Sequence, residues 1–431
     1  MQVIKLSEIG KHDGEEVEVR GWSYNIRSSG SIAFLQLRDG TGRIQAVVSK
    51  KEADEASWQA ATEATIESSV IVIGTVKAEP RSSTGFELQA TSVKLVSKAE
   101  EYPIGKKEHG VDFLQDVRHL WMRTPRQEAV LRIRSEIEFA LRDFFYQREF
   151  VLTDSPIFTA NAAEGTTELF EVNYFDRKAY LSQSGQLYLE ATAAALDKTY
   201  CFGPTFRSEK SKTRRHLTEF WMLEAEASFM DQEENMRLQE EMLVFVLKRV
   251  LERRAADLKT LERDLKPLET AALGVFPRID YVDAVNQLKG LGSDVKDGDD
   301  FGADDETILT KQYDRPVFIH HYPAAIKAFY MKPDPARPDR ALCSDLLAPE
   351  GYGEVIGGSQ RIDDLALLDQ RIAEHGLPAD AFKWYTDIRR YGSVPHSGFG
   401  IGLERTVAWI CGLEHVREAI PFARTIHRLE P

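Results

Sequence analysis

Residues 206–226 hold the densest chemistry in the sequence: Phe206-Arg207-Ser208-Glu209, then a polar run, then Glu219-Phe220 and Glu224-Ala225-Glu226. Both ends read as strands and the middle as a long hairpin loop. Arg207 and Glu209 are two residues apart, so they share one face of the first strand. Glu219, Phe220, Glu224 and Glu226 fall on the second. Charge held inside strands marks either a solvated edge or the floor of a ligand site. The loop carries Lys210, Lys212, Arg214, Arg215 and His216, a set suited to phosphate oxygens. Phe220 offers a flat face for a base. Together they favour a floor.

Two later stretches extend that chemistry. Asp345 and Glu354 pair two carboxylates, and Mg²⁺ is usually held by one or two carboxylates plus phosphates. Gly357-Gly358 lets a substrate approach the backbone. Gly398-Phe399-Gly400-Ile401-Gly402-Leu403-Glu404-Arg405 then reads as a glycine-rich strand feeding a helix. It is not the dinucleotide fingerprint, because position 403 is Leu, and no GxxxxGK[ST] loop occurs. A strand bare of side chains makes a floor for a planar base. Arg405 adds charge where a helix N-terminus already favours phosphate. His320-His321 has no Cys or acidic residue at ligand spacing, so no metal site is expected there.

These groups need a scaffold, and 431 residues suffice for two or three domains. Alternating runs at 17–22, 32–38, 43–48, 70–76 and 86–90, with a helical stretch at 53–64 between the third and fourth, fit an OB-fold barrel over residues 1–100. The turn Asp39-Gly40 is a strong hairpin signal. Arg27, Phe34 and Gln45 are its candidate contacts for single-stranded nucleic acid. Residues 101–125 read as a hinge. From Arg126 the period becomes helical, with Val130, Ile133, Ile137, Leu141 and Phe144 on one stripe. Residues 160–170 suit a mobile lid. A long charged helix follows from Glu233, and residues 291–306 read as a surface loop without chemistry. The class is α+β, with residues 126–431 as the second domain.

Composition sets limits. Hydrophobic residues make up 42% and charged residues 29%, as in a soluble globular protein. No run of 18 apolar residues exists and the first residues are no signal peptide, so no membrane association is expected. Cys201, Cys343 and Cys411 form no CxxC and fit the reduced thiols of a cytoplasmic protein. A net charge of −14 argues against non-specific nucleic-acid binding, though not against a local basic patch.

The order Phe206-Arg207-x-Glu209, loop, Arg215-His216, Glu219-Phe220 resembles motif 2 of the class II aminoacyl-tRNA synthetases. Residues 398–405 resemble motif 3, and the helix from Arg126 followed by Phe150 to Pro156 resembles motif 1, the family's dimer interface. The resemblance covers essentially the whole chain and is nearest the asparaginyl branch of the aspartyl, asparaginyl and lysyl subgroup. It implies a homodimer with an antiparallel catalytic sheet flanked by helices. The implied activity is ATP- and Mg²⁺-dependent ligation of L-asparagine to tRNA-Asn through an adenylate.

The resemblance also implies residue roles. Arg207 would hold the carboxylate and α-phosphate, and Arg215, His216 and Arg405 the outer phosphates, with Arg207 and Arg405 as the catalytic pair. Glu209 joins the ATP set, and Phe220 stacks on adenine. Glu354 and Asp345 carry the metal. Glu164 reaches the α-amino group, and Gln183, Gln186, Leu189, Glu224 and Arg361 complete the amino-acid pocket with Arg207. Arg27, Phe34 and Gln45 match positions that contact the anticodon. Aspartyl members carry Lys where this sequence has Leu189. Glu224 suits an amide NH₂, and Arg361, paired with Glu224, would bond the amide oxygen. An archaeal-type aspartyl enzyme, including one that charges both tRNAs, is the alternative. So is a tRNA-independent paralogue, against which the barrel speaks.

Overall fold

Five strands close the first barrel: Glu16–Ser29, Ile32–Arg38, Arg43–Ser49, Ser68–Ala78 and Phe86–Ser97. The first pairs with both the second and the fourth, and the third runs parallel to the fifth, which completes the ring. The period of two decides what lies inside: Val17 and Val19, Ala33, Leu35 and Leu37, Ile44, Ala46 and Val48 are all buried. The Asp39 carboxylate closes the hairpin between the second and third strands by accepting from the Thr41 and Gly42 N–H groups at 2.7 and 2.8 Å. The helix Glu55–Glu63 begins at Asp54, whose side chain accepts from Ser57 N–H at 2.6 Å, an ordinary N-cap.

The computed structural model describes residues 2–82, 84–105, 107–160, 169–211 and 213–431, in two compact units, Met1–Val111 and Asp112–Pro431. Glu164 and most of the lid stretch lie outside the described residues.

The second unit is built on an eight-stranded sheet. Its order is Arg278–Asp280, Val317–His320, Cys343–Ala348, Gly353–Gln360, His396–Gly402, Glu219–Ser228, Lys198–Phe206, Val151–Leu152. Neighbours are antiparallel except at the two edges, where one parallel strand is added on each side. One face is apolar: Leu223, Ala225, Phe399 and Ile401 pack under the helices Pro125–Gln147, Gln232–Arg253 and Leu403–Cys411. Every residue of the expected stripe from Val130 to Phe144 is fully buried there. The helix at Gln232 starts from a capping box of Asp231 and Glu234.

Two stretches hold more regular structure than the sequence pattern suggests. The stretch 101–125 is not all open chain, because it contains the helices Val111–Asp116 and Arg118–Trp121. Their anchor is Arg118, a residue with no periodic signature. It is buried, and its guanidinium donates to the carbonyls of Glu418, Ile420 and Pro421 and to Gln127. The loop at 291–306 likewise ends in a helix, Ala303–Thr310.

Arg118→Ala strands three carbonyls, two of them buried and one half-buried, and an unsatisfied buried group costs roughly 1–3 kcal/mol. Urea unfolding followed by tryptophan fluorescence is expected to show a lower midpoint at unchanged slope, a stability loss of about 3 kcal/mol or more.

Candidate active site

Strand register aligns the chemistry. Cys201, Glu224, Gly400, Gly357 and Asp345 lie directly across successive strands and so form one row. Alternation puts Phe220, Met222, Glu224 and Glu226 on that same face, with Gly398, Gly400 and Gly402 beside them. The polar face is therefore the reverse of the apolar face that holds the helices. A cleft of about 600 Å³ opens on it, lined by Arg207, Arg215, His216, Phe220, Met222, Glu354, Gly400, Gly402 and Arg405. A Cβ at Gly402 would meet nothing within 4 Å and would project into open space. One at Gly398 would come within 1.9 Å of Glu226 Oε2 and 2.3 Å of a backbone carbonyl.

The cations reach this cleft by different routes. The first hairpin strand ends at Phe206, so Arg207 and Glu209 follow the strand instead of lying within it. Arg207 N–H still donates to Thr218 C=O at 3.0 Å, which prolongs the ladder by one step. Its guanidinium sits 5.3 Å from the Phe220 ring centroid, a cation–π contact. Glu209 is half-buried and does not line the cleft. Arg215 donates to Glu306 at 2.9 Å and also to the Thr307 hydroxyl and the Gly351 carbonyl. Arg405, in the first turn of its helix, donates to the Glu354 carbonyl at 3.0 Å, with the Glu354 carboxylate 3.7 Å away. Burial, followed by the charges of Arg405 and Arg207, holds His216 below the usual histidine range, so it is neutral at pH 7. Burial and the charge of Glu354 push Glu306 up to about 7.

The carboxylates are equally constrained. Asp345 accepts from Lys327 Nζ at 2.8 Å. Burial raises its proton affinity; Lys327 opposes that and Glu354 adds to it. A Cβ at Gly357 would lie 2.9 Å from Glu354 Oε1 and 3.6 Å from Asp345 Oδ1, so the two carboxylates converge over a glycine. Glu224 accepts from the Ser184 hydroxyl and from Gly185 N–H at 2.7 Å, and Cys201 Sγ lies 3.7 Å away. It borders a second cavity, of about 670 Å³, with Ser182, Gly185 and Cys201.

Arg361 departs from expectation. Its partner is Glu226, not Glu224: Nε and Nη2 donate to Glu226 at 3.1 and 3.0 Å, and Nη1 donates to Ser359 Oγ at 2.7 Å. The reason is register, since Glu226 lies across from Gly398 and Gly398 across from Ser359. Gln183, Gln186 and Leu189 are buried, and none lines the two cavities. Gln186 donates to Glu190 at 3.3 Å, and Glu190 also accepts from Tyr385 at 2.7 Å and Arg389 at 2.5 Å, with His396 Nε2 at 3.0 Å. Sequence reasoning missed Glu190, Glu306 and Lys327 as members of these networks. Glu190 stood next to Leu189 in a block already singled out, whereas Glu306 and Lys327 carried no local signal.

In the barrel, Ala33 and Leu35 point inward, so Phe34 points out. Arg27 stands 5.9 Å from its ring centroid and donates to Gln45 at 3.2 Å. Gln45 donates in turn to Glu87 at 2.7 Å. All line a groove of about 1190 Å³ together with Tyr24, Arg43 and Arg81.

Residues 111–426 match the family model described as tRNA synthetases class II (D, K and N), and residues 17–96 match the OB-fold nucleic acid binding domain. The chain belongs to the class II tRNA synthetases of the D, K and N group. It is 61% identical to the asparagine–tRNA ligase of Desulforamulus reducens over the full length of both. It is 56% identical to that of Thermus thermophilus over 99% of each chain. It is also similar to the crystal structure of asparaginyl-tRNA synthetase from Pyrococcus horikoshii complexed with asparaginyl-adenylate, at 44% identity and a TM-score of 0.97, covering 99% of each chain.

For this class II synthetase, two glycines of one strand separate folding from binding. Gly402→Ala is expected to keep the melting temperature while raising KM for ATP about tenfold, because its methyl group enters the cleft. Gly398→Ala forces backbone and the Glu226–Arg361 pair apart, and overpacking of that kind costs about 1–3 kcal/mol or more. Thermal melts and pyrophosphate exchange on both variants check the contrast.

Proposed function

We propose that this chain ligates L-asparagine to tRNA-Asn in two steps. The asparagine carboxylate attacks the α-phosphate of ATP, giving asparaginyl-adenylate and pyrophosphate. The tRNA 3′ end then takes the acyl group and releases AMP. The observation that carries the reading is the commitment of Arg361 to Glu226 and Ser359. A guanidinium whose charge is already met by a buried carboxylate has little charge to spare for a second carboxylate. Glu224 repels a carboxylate and accepts from an amide NH₂, and Leu189 stands where the resemblance puts a lysine in aspartyl members. The names of the relatives support the same choice.

The chemistry asks the protein to position reactants and spread charge. Arg207 spans the amino-acid carboxylate and the α-phosphate. Phe220 and the bare strand at Gly400 and Gly402 sandwich adenine. Arg215, Arg405 and neutral His216 hold the outer phosphates, and Glu209 completes the ATP set from beyond the strand end. Glu164 reaches the α-amino group. Glu354 and Asp345 would hold Mg²⁺, which neutralises phosphate charge when bound. Two carboxylates converging over Gly357, with burial and the charge of Glu354 raising the proton affinity of Asp345, are a donor set that a hard cation fits. Arg27, Phe34 and Gln45 read the anticodon by stacking and hydrogen bonds. Tyr146, 82% exposed, Phe139, 60%, and the edge residues Val151 and Leu152, 43% each, give an apolar face suited to a homodimer. Among the described residues no helix is long and apolar enough to cross a membrane. The buried free thiols suit the cytoplasm.

Pyrophosphate exchange with asparagine and aspartate side by side tests the reading. Asparagine is expected to win by about 10³-fold or more, the range reached when a wrong substrate strands buried polar groups. Equal exchange with both replaces the asparaginyl reading with the aspartyl one. Arg207→Ala should remove exchange with asparagine by about 10²–10³-fold while the protein stays folded.

A further inference from the structure

The outer edge of the large sheet gathers a ligand set that the sequence scatters. Asp280 ends the edge strand and lies across from His320 in parallel register, and His321 follows. His321 turns into left-handed backbone, φ 58°, which is uncommon for histidine. That turn brings its Nδ1 to 2.5 Å from His320 Nδ1 and 3.6 Å from Asp280 Oδ2. Two facing ring nitrogens so close cannot both carry hydrogen, so at least one lone pair enters the gap. One donor atom from each of Asp280, His320 and His321 lies within 4.8 Å of the others.

We propose that Asp280, His320 and His321 bind a divalent ion of the zinc class. Tetrahedral Zn²⁺ with bonds of about 2.0–2.2 Å spaces its donors about 3.3–3.5 Å apart. The His321–Asp280 distance is already close to that, and the imidazole pair opens by about 1 Å through side-chain rotation. Two imidazoles and one carboxylate suit borderline ions, in contrast to the all-carboxylate pair Asp345 and Glu354. Asp334 Oδ2, 3.7 Å from His321 Nε2, is placed to orient that ring from outside. Arg337 competes with the ion: it contacts Asp280 at 2.8 Å and Asp334 at 3.5 Å, and its side chain is 42% exposed, so it can withdraw into solvent. The ion would tie the edge strand and its neighbour to the hairpin that bears Asp334 and Arg337. None of these residues lines the catalytic cleft.

The test uses full-length, untagged protein, stripped with a chelator and titrated with Zn²⁺ and with Co²⁺ in excess Mg²⁺. One ion per chain is expected, and the Co²⁺ visible spectrum should report nitrogen ligation. His320→Gln and His321→Asn should each weaken Zn²⁺ by about 100-fold, the upper end of what loss of even an outer partner does. Asn tolerates the left-handed backbone at 321, so that variant should keep its fold. Arg337→Ala should tighten binding. Absence of binding to the wild-type protein, or binding that both His variants leave unchanged, overturns the proposal. So does an Arg337→Ala variant that binds more weakly.

Discussion

One buried ion pair organises the polar face of the catalytic sheet. Arg361 and Glu226 are 2% and 0% exposed. Charges withdrawn from water that far persist only when every donor and acceptor is met, and removing one partner costs about 3–5 kcal/mol. Here the guanidinium is met by Glu226 on one side and by Ser359 on the other. The pair also dictates sequence around it. Gly398 has no room for a side chain because Glu226 and Arg361 fill that space. Glu190 gathers Gln186, Tyr385, Arg389 and His396 into a second buried network. The amino-acid end of the proposed site thus rests on charge that is already neutralised.

The other end is built in the opposite sense. Arg207, Arg215 and Arg405 face the cleft as cations that a polyanion can use, although the whole chain carries a net charge of −14. Arg215 is held by Glu306, whose carboxyl is pushed up to about 7 by burial and Glu354. One sheet face thereby offers a cleft lined by cations and, beyond it, a cavity bordered by the Glu224 carboxylate.

Much of this was legible in the sequence because it is local. Period-two runs defined the barrel, and the helical stripe from Val130 to Phe144 defined the core helix. The arginines, Phe220 and the glycine strand gather in one cleft because each sits on or beside a neighbouring strand. What stayed hidden depends on contacts between distant segments. Arg118 grips carbonyls some 300 residues away, Glu306 reaches Arg215 from a segment that reads as loop, and Lys327 neutralises Asp345. The choice of Glu226 over Glu224 as partner of Arg361 is set by cross-strand register, which composition does not encode.

The central claim is that a neutralised Arg361 makes the pocket refuse a carboxylate. The most direct measurement is the ratio of aspartate to asparagine activation, by pyrophosphate exchange, in Glu226→Gln. Glutamine keeps the shape and a hydrogen bond to Arg361 but frees its charge. The account predicts that the ratio rises by about tenfold or more, equivalent to about 1.4 kcal/mol, in a protein that still folds. An unchanged ratio in a folded Glu226→Gln protein would contradict it.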